Sequence, residues 1–145
     1  KEITPLLPAL KSNWLAIHVL TCFMGYAALS VGFVSSSLIL FKKNEDIRLD
    51  RIAHKVIAFG FLFLTLGIIT GSVWANSAWG TYWSWDPKET WSLITWFIYA
   101  IYLHLRFTKG WKAKKAAWLA VLGFLAMLFT YLGVNYLLSG LHSYA

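Results

Sequence analysis

Charge is scarce in this sequence. Asp, Glu, Lys and Arg make up 13% of its 145 residues, against about 25% in a typical soluble domain. The deficit excludes an ordinary soluble surface. Several apolar runs of about twenty residues point instead to an all-α, polytopic integral membrane protein. Cysteine is nearly absent. The single Cys22 excludes an internal disulfide, a CxxC pair and a CxxCH site, so the chain is not itself a c-type cytochrome. The chain also lacks an initiator Met and a basic n-region leading to a short apolar run and cleavage site. It reads as a fragment or processed piece with no signal peptide to remove.

What is abundant is tryptophan, and it is concentrated. Four of the nine tryptophans lie in the thirteen residues from Trp79 to Trp91, WGTYWSWDPKETW. The second half of this stretch has the signature of a helix start. Asp86 suits the N-cap, Pro87 the first helical position, and Glu89 the N3 position of a capping box. The first half, with Trp79, Tyr82, Trp83 and Trp85, cannot turn all its rings one way on a regular helix or strand. Two readings fit. Trp and Tyr gather in belts at the membrane–water interface. Belts use scattered residues, however, and rings crowded beside a capped helix start better suit a flat, apolar, conjugated ligand.

The rest of the chain divides into a single membrane domain over residues 1–145, with about four transmembrane helices. A polar lead holds Pro5 and Pro8, which oppose helix, and Ser12 or Asn13 can cap a first span at about 14–41. Further spans are expected at about 52–74, 87–107 and 116–139, with the tryptophan loop within 75–91. Gly25, Gly32, Gly60, Gly67, Gly71, Gly123 and Gly133 suit close approach of helices in lipid. Ten of the thirteen basic residues fall in two segments, 42–55 and 106–115. By the positive-inside rule these face the cytoplasm or its equivalent, and the tryptophan loop faces the extracytoplasmic or lumenal side. The net charge of +7 is therefore mainly a topology signal. Basic residues split between two short juxtamembrane loops do not make a nucleic-acid surface.

This topology brings His18, about two turns into the first span, and His142, after the last, to the level of the tryptophan loop. Each has a plain structural reading, as a backbone-bonded histidine or a carbonyl cap. Together, beside an aromatic surface, they are the donor set that a haem iron accepts. His104 lies about 25 Å along the third span at 1.5 Å per residue. Ionisable residues at membrane depth are functional candidates, although a snorkelling histidine beside Arg106 also fits. Glu89, Trp96, Ala100 and His104 fall near one helical stripe that could line a route across the membrane. His54, among Arg51 and Lys55, reads as a solvated interfacial residue, and Cys22 as core packing. Capping accounts for Asp86 and Glu89 without an acid–base role.

The stretch from Trp79 to Trp91 resembles the WWD signature of haem-handling proteins in cytochrome c biogenesis. WDPKETWSLITW, followed by Tyr102-Leu103-His104, is similar to the CcsA (ResC) branch, the integral membrane subunit of the System II synthase. Gly133-Val134-Asn135 and Gly140-Leu141-His142-Ser143-Tyr144 resemble the end of that branch, whereas the CcmC and CcmF branches continue differently after the WD pair. The resemblance covers nearly the whole chain from His18 onward. It implies a C-terminal portion, because family members usually carry more spans upstream.

The resemblance further implies that haem b is held at the outer face by Trp79, Tyr82, Trp83, Trp85, Asp86 and Trp91. His18 and His142 are then its axial ligands, and His104 holds haem on its way across the membrane. The implied partners are a CcsB (ResB)-type membrane subunit and an apocytochrome c bearing CxxCH. The implied activity is haem export and presentation, as the membrane subunit of a synthase forming haem thioethers, in a bacterial cytoplasmic or plastid thylakoid membrane. No nucleophile or general base of this chain is required. The competing reading is a transporter or pore with an aromatic gate, which predicts solute flux and no haem.

Overall fold

The structure is a computed structural model that describes residues 13–134. Four α-helices follow one another: α1 (Asn13–Phe41), α2 (Ile47–Trp79), α3 (Pro87–Thr108) and α4 (Ala113–Leu128). The chain continues from α4 into a π-turn, Phe129–Gly133. There is no strand among the described residues. Among the described residues, three segments are long and apolar enough to cross a membrane: α1, α2 and Ala113–Gly133. α3 has 22 residues and so spans about 33 Å, but it is richer in polar side chains. The sequence-derived residues Ser12, Asn135 and His142 lie outside the described residues.

α2 is longer at both ends than the expected 52–74, and the ends have local causes. Asp46 caps its start, accepting from the amides of Arg48 (3.0 Å) and Leu49 (3.2 Å). The hydrogen bond from Lys42 and those amides hold the Asp46 carboxyl below the usual carboxylate range. Gly80, at φ 79°, ends the helix in the left-handed conformation that glycine adopts without a Cβ penalty. Most of the expected 42–55 loop is therefore helical, and the tryptophan loop shortens to residues 80–86.

The closest helix pair is α1–α2, packed antiparallel in one register. His18 meets Gly71, Cys22 meets Gly67, Gly25 meets the backbone at Leu64, Leu29 meets Gly60, and Gly32 meets Ile57. Steps of four and three residues on both helices are the spacing of a left-handed coiled pair. Glycine makes the approach possible. A Cβ at Gly60 would lie 2.8 Å from the Leu29 side chain, and one at Gly67 would lie 2.7 Å from Cys22 Sγ. α4 packs on both α1 and α3 through its buried small residues Ala116, Ala117, Ala120 and Gly123. Tyr99 lies over Gly123, and the core joins Leu29, Ile57, Leu64, Tyr99, Tyr102 and Met127. Trp96 donates from Nε1 to Thr65 Oγ1 at 2.9 Å and packs on Phe61, so it fills the α2–α3 seam.

The end opposite the tryptophan loop is locked by one carboxylate. Arg106 donates to both oxygens of Asp50, at 2.8 and 3.0 Å, and the Ala113 amide donates to the same group at 2.9 Å. The side chains are only 10% and 15% exposed. His54 is half-buried rather than solvated. Its ring meets Phe107 edge-on at 5.6 Å, and its Nδ1 is enclosed. Removing one partner from a largely buried pair leaves the other charge uncompensated. Asp50→Ala should therefore lower stability by about 3 kcal/mol, read by unfolding in mixed micelles. An unchanged midpoint would mean that the pair contributes nothing.

Candidate functional site

The site begins with the absence of one side chain. Because Gly71 has no Cβ, the His18 ring lies flat on α2: a Cβ there would sit 2.6 Å from its Cε1 and 2.7 Å from its Nδ1. The ring thereby reaches the carbonyl one turn earlier, and Nδ1 lies 2.6 Å from Gly67 O. A carbonyl oxygen only accepts, so Nδ1 carries the proton. In a neutral imidazole the remaining lone pair is then on Nε2, the pattern of a ligating histidine oriented by a backbone carbonyl. Cys22, one turn further along α1, places Sγ 3.6 Å from Nδ1.

His18 borders a cavity of about 730 Å³ to which all four helices contribute. Cys22 and Tyr26 of α1 extend the His18 stripe along one wall. Trp74 comes from α2, Tyr82 and Trp83 from the tryptophan loop, Lys88 and Glu89 from the start of α3, and Tyr131 from the π-turn. π-bulges recur at functional sites because the extra residue re-aims side chains, and here one supplies Tyr131. Its ring meets Tyr26 edge-on at 5.9 Å, and Lys88 Nζ stands 5.8 Å from its centroid.

The loop that closes the cavity is held by α3. Asp86 is the N-cap and Pro87 opens the helix, with the capping box of the expected sequence pattern complete. Glu89 does more than cap. Its Oε2 accepts from Ser84 N at 2.8 Å, Ser84 Oγ at 3.3 Å and Asp86 N at 3.4 Å, which folds the loop back over the helix start. Trp85 sits at φ 59°, a left-handed conformation that costs a bulky residue on the order of 1–3 kcal/mol, yet it is 66% exposed. Strain retained at an exposed ring is a mark of a functional segment.

The candidates divide by position. His18, Tyr82 and Trp83 border the cavity. Trp83 Nε1 is buried without a hydrogen-bond partner among the described residues, a state that costs about 1–3 kcal/mol unless a ligand supplies the acceptor. Trp85 stands edge-on to Trp83 at 5.5 Å and 89°. Trp79 meets Trp74 edge-on at 4.9 Å. Asp86 is buried in its capping role, and Trp91 packs on Phe129 at 4.4 Å. The rings thus interlock at steep angles instead of forming one flat platform. His104 is exposed near the other end of α3 and does not border the cavity. Tyr26, Lys88 and Tyr131 are additions from the structure. Tyr26 was signalled by its position eight residues after His18 on the same helix face, whereas nothing in the sequence marks Tyr131.

A family model described as cytochrome C assembly protein matches residues 1–142. The cytochrome c biogenesis protein CcsA of Chlamydomonas reinhardtii is 51% identical over 99% of this chain and 44% of its own length. CcsA of Mesostigma viride is 47% identical over 97% of the chain and 58% of its own length. CcsA of Prochlorococcus marinus (strain MIT 9301) is 44% identical over 99% and 58% respectively. The chain spans about half the length of the curated relatives it matches. A match of this extent carries one conclusion: the chain belongs to the cytochrome c assembly protein family, as a CcsA-type member.

Proposed function

We propose that the cavity beside His18 receives haem as a substrate and presents it, at the extracytoplasmic face, for covalent attachment to an apocytochrome c. One observation carries the reading. His18 is held by Gly67 O with its proton on Nδ1, and it borders an aromatic cavity of about 730 Å³ that the tryptophan loop closes. A volume of this size suits a large cofactor-like ligand. Rings from Trp74, Tyr82, Trp83 and Tyr131 supply apolar and edge contacts for a porphyrin.

The residues would share the work as follows. His18 binds iron through Nε2 and sets the ring's position. His142 supplies the second axial ligand in this proposal. Trp83 and Tyr82 fix the plane, while the exposed Trp79 and Trp85 offer surface to the incoming apoprotein. A CxxCH segment then adds its two thiols across the vinyl groups, each S–H proton passing to the vinyl carbon that does not bond sulfur. Nothing in this chain need act as nucleophile. Orientation is the contribution, and good positioning alone is worth up to about 7–11 kcal/mol. His104, about 25 Å away along α3, would hold haem earlier, on its passage across the membrane, together with a CcsB-type partner.

Two variants separate ligation from folding. His18→Ala should abolish the bis-histidine Soret signature of the purified protein. Gly71→Ala keeps every histidine but drives a methyl group into the His18 ring, and should weaken haem retention by about 10–100-fold, as loss of an orienting shell does. Wild-type spectra and full cytochrome c maturation in both variants would defeat the assignment. His104→Ala should leave the outer site able to bind added haem in detergent while lowering the haem it carries from cells. Normal cellular loading would reduce His104 to an interfacial residue.

A further inference from the structure

The two basic segments, 42–55 and 106–115, meet at one end of the molecule, the end that Asp50 and Arg106 lock. We infer that this end is a docking surface for the headgroups of an anionic phospholipid, so that a negatively charged lipid is a ligand of the protein there. Neither the haem reading nor the side of the membrane that this end faces enters into it.

Three observations converge. The first is packing. Ile39 of α1, Ala53 of α2, and Ala113 and Ala117 of α4 share a small buried core, with Leu40 and Leu49 packed against it. The end of α1 and the starts of α2 and α4 are thereby held together. Basic side chains that are far apart in sequence come to one surface.

The second is charge. Of the ten Lys and Arg in the two segments, Lys42 pairs with Asp46 at 2.6 Å and Arg106 with Asp50 at 2.8 Å. Asp46 also caps α2, and Asp50 also accepts from the Ala113 amide, so both carboxylates serve the fold. The other eight bases are exposed, and none is in an ion pair among the described residues. Glu45 is the one carboxylate left in these segments. At the α1–α2 turn, Lys43 and Arg48 border a hollow of about 650 Å³ together with the exposed Ile47.

The third is the apolar company of these charges. Phe41 at the end of α1, Ile47 at the start of α2 and Phe107 in the last turn of α3 are left largely exposed. Trp111 follows α3, with Lys115 Nζ 5.0 Å from its ring centroid. A soluble polyanion would satisfy the bases and leave these side chains in water. A bilayer interface takes both, the apolar side chains among acyl chains and the bases among headgroups. Anionic headgroups attract juxtamembrane basic clusters. Uncompensated positive charge beside exposed apolar side chains is complementary to a lipid of negative charge.

The test reconstitutes the full chain in phosphatidylcholine bilayers and compares the association of spin-labelled phosphatidylglycerol with that of spin-labelled phosphatidylcholine. The unmutated protein should favour the anionic lipid by about fivefold or more, the preference that one basic contact at an anionic surface supplies. Salt at about 1 M, where the screening length falls to about 3 Å, should remove most of it. Lys43→Gln/Arg48→Gln/Arg51→Gln and Lys112→Gln/Lys114→Gln/Lys115→Gln should each reduce the preference, while Lys112→Arg/Lys114→Arg/Lys115→Arg should keep it. Equal association of the two lipids with the unmutated protein would overturn the proposal. So would a preference that survives the salt, or one that persists with all six glutamines combined.

Discussion

The arrangement depends on how closely α1 approaches α2. In lipid the hydrophobic effect gives helices little reason to associate, and close packing of backbones takes its place. Glycine at 25, 32, 60, 67 and 71 clears the seam between α1 and α2: the α2 backbone approaches Gly25, and side chains from the facing helix fill the spaces at the other four. At the tryptophan-loop end the facing side chain is His18, and the space above Gly71 both seats its ring and opens the Gly67 carbonyl to it. Helix packing and the orientation of the His18 ring are here the same contact. A histidine that would otherwise turn among rotamers is fixed in tautomer and direction by a backbone that cannot move without unpacking two helices.

The remaining walls are built by different means. The tryptophan loop has no regular structure, so its backbone donors need side-chain acceptors. Glu89, buried at the start of α3, collects two of them, Ser84 N and Asp86 N, together with the Ser84 hydroxyl. A single helix turn thus holds the loop over the cavity while leaving Trp79 and Trp85 exposed. α4 closes the opposite side through alanines and Gly123, then widens into the π-turn that carries Tyr131. The far end is fastened independently by Asp50 and Arg106. The molecule therefore pairs a rigid, ion-locked end with an aromatic end that borders a cavity.

Much of this was legible in the residues. The membrane class, the helical spans and the Asp86–Pro87–Glu89 helix start followed from composition and capping chemistry, and the cavity gathers His18, Tyr82 and Trp83 as the topology implied. The helix ends of α2 were less legible. Arg48 and Arg51 read as loop because they are charged, yet Asp46 caps a helix that carries them while Asp50 turns inward to Arg106. Gly80 marks the other end, five residues beyond the expected one, because Ala75, Asn76, Ser77, Ala78 and Trp79 continue the helix. The glycines were noticed for close packing, but their seven-residue spacing on both helices, which sets the antiparallel register, was not drawn out. Tyr131 was beyond reach, because a π-turn leaves no periodic signature. The tryptophans were read as one surface, whereas short intervals on an irregular loop let neighbouring rings turn edge to face.

The central claim is that His18 holds the iron of a porphyrin seated between α1, α2 and the tryptophan loop. A density map of the haem-loaded protein tests it most directly. The account predicts iron within bonding distance of His18 Nε2, Nδ1 still on the Gly67 carbonyl, and the ring edge against Trp83. A porphyrin bound elsewhere, or one in this cavity with the His18 ring turned away from the metal, would contradict it.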